Sequence, residues 1–222
     1  MDQDRLQQIE ANLRSKRIDQ RKAALDELAT VDSDVAVPIL KKLATEQDFG
    51  LRCMAMMGLS NHLTDECFTY LKNVLEQEQD NSVLAEAANS IYDFGEKAIA
   101  PLQALYDRCD YWLVRHTVVA VLAENDDPQV LLEVARKAIQ DENQMTKETG
   151  ILALSRLLNT PLKNEAFELF KVLSVDKYWR NRWRTAIALT ASQDPTAKEL
   201  LAQLQKDKDY RVVAAALEQP KI

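Results

Sequence analysis

Two short segments carry the side chains best suited to chemistry. They are Tyr111-Trp112-Leu113-Val114-Arg115-His116 and Tyr178-Trp179-Arg180-Asn181-Arg182-Trp183, the second followed by Arg184. All three tryptophans of the chain lie in them. Trp112 and His116 are four residues apart, as are Trp179 and Trp183, and on a helix that spacing puts each pair on one face. Indole faces beside guanidinium groups suit a flat conjugated ligand bearing carboxylates, because rings stack and arginine pairs with carboxylate. A single-stranded nucleic acid or a loop of a partner protein meets the same description. The candidate binding residues are therefore Tyr111, Trp112, His116, Tyr178, Trp179, Arg180, Trp183 and Arg184. A plainer reading stands beside this one: aromatics at the start of a helix also serve to pack against a neighbouring element. His116 has the right pKa for a general base. No partnered nucleophile stands at helical spacing from it, so no catalytic residue is assigned.

Both segments belong to a longer pattern that must position them. Align the chain on Arg21, Arg52, Leu84, Arg115, Lys147, Arg182 and Val213. These anchors are separated by 31, 32, 31, 32, 35 and 31 residues. Three positions after each comes a mostly small residue: Ala24, Ala55, Ala87, Val118, Gly150, Thr185 and Ala216. Seven positions after the first six comes Leu28, Leu59, Ile91, Leu122, Leu154 or Leu189. Offsets of three and seven share one helix face. The small residue lets another helix approach, and the large one fills the layer. Aspartates precede several of these helices (Asp48, Asp80, Asp110, Asp209), where a carboxylate can accept from unpaired first-turn N–H groups. A second helix precedes each anchored one. Asp127-Pro128 and Asp194-Pro195 read as helix starts. Pro38 and Pro101 hold equivalent places, expected in a first turn or at a shared bend.

The anchor arginines Arg21, Arg52, Arg115 and Arg182 are expected to form a ladder with neighbouring acids and loop carbonyls. The first unit, with 6 acids and 6 bases in residues 1–30, has the charge a terminal cap needs. Gln219-Pro220 is expected to break the last. The chain thus predicts an all-α fold: an α-solenoid of about seven antiparallel helix pairs forming one domain over 1–222. Trp112, His116, Trp179 and Trp183 are expected to face a shared groove on its inner side.

Composition narrows the rest. Four glycines and six prolines in 222 residues favour helix throughout. No apolar run approaches the roughly 20 residues of a membrane span, and Met1-Asp-Gln-Asp-Arg5 lacks the layout of a secretory leader. Cys53, Cys67 and Cys109 are odd in number and widely spaced, which predicts neither a disulfide framework nor a metal site and points to a reducing, cytoplasmic setting. The net charge of −7 opposes general nucleic-acid binding. The charge is uneven: residues 31–110 hold 14 acids and 6 bases, whereas residues 111–222 hold 15 acids and 16 bases.

Helix pairs of this length, with aspartate, Val-Arg, a small residue and leucine in order, resemble HEAT repeats. The Val114-Arg115 and Leu51-Arg52 forms and the short period resemble the subclass named after phycobilisome bilin lyases. The size and the Trp112-Leu113-Val114-Arg115 unit look most like cyanobacterial phycobilisome-acting proteins of the NblB type, with subunits of the E/F-type lyases also similar. That resemblance implies binding to phycobiliprotein subunits or other proteins, with bilin (phycocyanobilin) as a possible ligand. It implies chromophore detachment during antenna degradation for the first group and attachment for the second. No permanently bound cofactor is implied. A non-catalytic protein–protein scaffold is the alternative.

Overall fold

A computed structural model describes residues 3–218. Gln219 and Pro220, expected to end the last repeat, lie outside the described residues. Fourteen α-helices, and no strand, occur among the described residues. They form seven consecutive pairs: α1 (Gln3–Leu13) and α2 (Ile18–Leu28); α3 (Ser33–Leu43) and α4 (Phe49–Ser60); α5 (Asp65–Gln77) and α6 (Asn81–Ile91); α7 (Glu96–Arg108) and α8 (Trp112–Leu122); α9 (Pro128–Ala138) and α10 (Gln144–Arg156); α11 (Lys163–Ser174) and α12 (Trp179–Thr190); α13 (Pro195–Leu204) and α14 (Tyr210–Leu217). Every anchor falls in the second helix of a pair. The fold is an all-α HEAT-like helical repeat.

The helices gather into two compact units, residues 1–118 and 119–222, with the boundary inside α8. Within each unit the repeat positions do what their types require. Ala24, Ala55, Ala87 and Val118 are buried in the first unit, as are Thr185 and Ala216 in the second. So are Leu28, Leu59 and Ile91 in the first, and Leu122, Leu154 and Leu189 in the second. At Gly150 a methyl group would lie 2.5 Å from the Ala138 Cβ, so α9 and α10 touch almost backbone to backbone there. Phe167 and Phe170 fill the core of the second unit.

Aspartate caps hold the helix starts. Asp48 accepts from Gly50 N at 2.8 Å, Asp80 from Ser82 N at 2.8 Å, and Asp209 from Arg211 N at 3.0 Å. Asp127 and Asp194 cap α9 and α13 with proline next in line. Pro38 and Pro101 do hold equivalent places, but not in a first turn: each is the sixth residue of its helix, in α3 and α7. Each therefore removes the N–H that would bond four residues back, to Asp34 or Lys97.

The anchor arginines form the expected ladder. Each reaches back to the loop before its own helix. Arg21 donates to Ser15 O, Arg52 to Glu46 O and Gln47 O, Arg115 to Asp110 O, and Arg182 to Asp176 O and Lys177 O. Arg21 also pairs with Asp48, Arg52 with Glu78 and Arg182 with Asp207, in each case an acid of the following repeat. One guanidinium thus satisfies loop carbonyls and links two repeats, which a lysine's single ammonium cannot do as well.

Candidate functional site

The second unit brings most of the candidate residues together. On α12, Trp179 and Trp183 share a face with ring centroids 6.3 Å apart, tilted by 50°. Both pack one side against the core of the unit and keep the other partly exposed. They are therefore not swallowed between repeats. Tyr178 adds an exposed ring 6.2 Å from Trp179. The Arg184 guanidinium sits over the Trp183 ring at 4.6 Å. Over Trp179 lies Arg211 of α14, at 3.4 Å, fixed by two bonds to Asp209 of 3.0 and 2.8 Å. Cation–π contact of this kind is worth about 0.5–2 kcal/mol.

The arginines are not free charges waiting for a ligand, as the sequence suggested. Glu148 of α10, 5% exposed, holds two of them. Arg184 Nε donates to Glu148 Oε2 at 2.9 Å. Arg180 Nε lies 2.7 Å from Oε1 as an ion pair, although its N–H does not point along a hydrogen-bond line. Gln144 Nε2 donates to Oε1 at 3.0 Å and to Asn181 Oδ1 at 2.8 Å. Burial alone would push the Glu148 carboxyl up. The bonds from Gln144 and Arg184, with the positive charge of Arg180, outweigh it and hold the group below the usual carboxylate range. Two guanidiniums on one carboxylate leave a net positive charge at the rim of the indole pair. The network fixes both side chains in place before anything binds, which lowers the entropic cost of recognition.

Gln144 and Glu148 occupy the same repeat positions as Trp179 and Trp183. Their role is not evident from the sequence. The available signal was an acid in that row one repeat before three arginines. Nothing in the sequence marked Arg211, because it reaches Trp179 from the next repeat.

In the first unit, Tyr111 and Trp112 form a ring pair like Tyr178 and Trp179, with centroids 6.3 Å apart. Both are exposed, Trp112 at 38%, and His116 is half-buried. Cysteine chemistry finds little support. The Cys67 side chain is fully buried. Burial, with Glu86 nearby, pushes the Cys53 thiol up to about 11, so little thiolate exists near neutrality.

No family model matches the sequence, and no curated protein matches it. Solved structures do resemble the fold. The E. coli YibA structure is 15% identical, with a TM-score of 0.67 over 97% of this chain and 80% of that one. The complex of CpcE and CpcF of phycocyanin lyase from Nostoc sp. PCC7120 is 17% identical, with a TM-score of 0.50 over 93% of this chain and 90% of that one. The karyopherin Kap121p, bound to the extreme C-terminus of the protein phosphatase Cdc14p, is 16% identical, with a TM-score of 0.50 over 97% of this chain but 29% of its own. At these identities the likeness establishes the helical-repeat fold. No helix among the described residues is long and apolar enough to cross a membrane.

Proposed function

We propose that this chain is a binding protein for phycobiliprotein, acting on the phycobilisome in the manner of the NblB-type proteins it resembles, and that the α10–α12 face of the second unit contacts the bilin. The observation that carries this reading is the half-buried Trp179–Trp183 pair rimmed by arginines locked on Glu148. An open-chain tetrapyrrole offers flat conjugated rings for the indoles and carboxylates for the guanidinium edges of Arg184 and Arg180. Tyr111, Trp112 and His116, in the first unit, would make a separate contact with the protein part of the partner. The phycocyanin lyase complex supports the reading, because a fold of this kind forms part of a phycocyanin lyase there. Detachment of the chromophore is the step that such binding would serve.

Mixing the purified protein with phycocyanin tests this. A change in bilin absorbance, together with co-purification of phycocyanin, is expected. An unchanged spectrum with no retained phycocyanin overturns the proposal. A second reading, a protein scaffold without bilin contact, draws on Kap121p, whose structure holds a peptide segment of another protein. A stable complex with phycocyanin but no spectral change would favour it.

A further inference from the structure

The second unit carries a cationic depression that the aromatic face does not use. It has a volume of about 390 Å³ and lies between the α11–α12 and α13–α14 loops. Lys177, Lys206 and Lys208 stand around it, all exposed. None of the three makes a salt bridge or a side-chain hydrogen bond among the described residues. Two of the three acids near them are already paired with arginines. Asp207 takes both bonds from Arg182, at 2.6 and 2.8 Å, and Asp209 takes both from Arg211. Asp176 accepts from Tyr178 N at 2.7 Å. Three ammonium groups therefore outnumber the one carboxylate left beside them without a cation, Asp176, in a chain of net charge −7. The floor is partly apolar: Leu204 is buried beneath it, and Val175 stands 74% exposed at its edge.

The same place in the first unit has the opposite character. The depression of about 300 Å³ between the α5–α6 and α7–α8 loops is lined by Glu76, Glu78 and Asp110 against one cation, Arg108. Leu84 and Leu105 there correspond to Arg182 and Leu204. The fold supplies a depression at this point of the repeat, and the second unit has filled its rim with lysines.

We infer that the Lys177–Lys206–Lys208 depression is a docking site for a short acidic segment of a partner protein, with two or three carboxylates around one aliphatic side chain. Three point charges match separate carboxylates, and Val175 with Leu204 offers a place for the aliphatic group. A nucleic acid fits less well. Its phosphate run continues past the three lysines of this small depression, onto the surface of a chain whose net charge is −7. The site is independent of the indole pair and does not rest on the bilin reading.

The test uses the full chain and a dye-labelled peptide, Asp-Glu-Leu-Asp-Glu, followed by fluorescence anisotropy. Binding that weakens with salt is expected. Lys177→Glu/Lys206→Glu/Lys208→Glu should weaken it by at least about tenfold, since each exposed pair contributes modestly and reversal adds repulsion. The matching arginine variants should retain it, and so should Trp183→Ala. All three lysines are exposed, so the folded state is checked by circular dichroism and survives the change. Binding unaffected by the three reversals overturns the inference. So does tighter binding of a single-stranded oligonucleotide than of the peptide, which would make the patch a phosphate surface instead.

Discussion

Removing the Arg182 side chain should cost far more than its single charge suggests. In the folded chain Arg182 and Asp207 are nearly buried, with side-chain exposures of 6% and 9%. The guanidinium makes two bonds to the carboxylate and two more to the Asp176 and Lys177 carbonyls. Arg182→Ala leaves the Asp207 carboxylate partly buried without its cation, and two loop carbonyls without a donor. Stranding one member of a buried pair costs about 3–5 kcal/mol. That is a large share of the roughly 5–15 kcal/mol that stabilises a typical domain. With a urea slope of about 2–3 kcal/mol per molar, the midpoint should fall by roughly 1–2 M. The exposed pair Arg17–Asp19, at 68% and 66%, is the control, and Arg17→Ala should leave the midpoint unmoved.

Acid gives a second readout of the same contact. The bond from Arg182 holds the Asp207 carboxyl below the usual carboxylate range. Its stabilisation is therefore fully present above the unfolded value, about 3.9, and is lost as pH falls through the lower folded value. Arg182→Ala should flatten this part of the acid-unfolding curve. The double variant Arg182→Ala/Asp207→Asn should recover part of the loss, because no charge is then stranded. A loss below about 1 kcal/mol for Arg182→Ala, with no recovery in the double variant, would refute the ladder as a linkage between repeats.

Other outcomes follow from the geometry. Gly150→Ala places a methyl 2.5 Å from Ala138 Cβ and should destabilise by about 1–3 kcal/mol in thermal melts despite alanine's better helix propensity; adding Ala138→Gly should restore part of it. Glu148→Gln should free Arg184 and Arg180 to move, shifting tryptophan fluorescence because Arg184 covers Trp183. Asp80→Ala removes the cap on Ser82 N and Val83 N and should cost about 1 kcal/mol in urea unfolding. Alkylation followed by mass spectrometry should find Cys53 slow at pH 7–8, with its rate rising steeply as pH approaches 11.

The repeat was legible because its signals are local. An anchor, a small residue three on and an aliphatic residue seven on lie within two turns of one helix. All seven pairs formed where those offsets placed them. The ladder of Arg52 and Arg182 followed from the same alignment, since each reaches only five or six residues back. Pro38 and Pro101 do hold equivalent places, but of the two settings expected for them, a first turn or a shared bend, the first turn is not the one they occupy. Proline's preference for a first turn is weaker than the packing that keeps α3 and α7 running through it.

The site was legible only in part. The Trp179–Trp183 pair could be read from a spacing of four. The state of Arg180 and Arg184 could not, because their partner Glu148 is 32 and 36 residues away and on another helix. Arg211 over Trp179 is a contact of the same long-range kind. Charge read along the chain counts cations. Only the folded chain shows which are already neutralised, and that is why the arginines of α12 are held while the lysines beyond them are not.

The central claim is that the α10–α12 face takes a bilin carried on its protein. The most direct measurement is the bilin absorbance of phycocyanin titrated with the wild-type chain, with Trp183→Ala and with Arg184→Ala. The account predicts a saturable spectral change with the wild type, lost with Trp183→Ala and weakened several-fold with Arg184→Ala. A spectrum that stays flat for all three, or one that changes equally for all three, would contradict it.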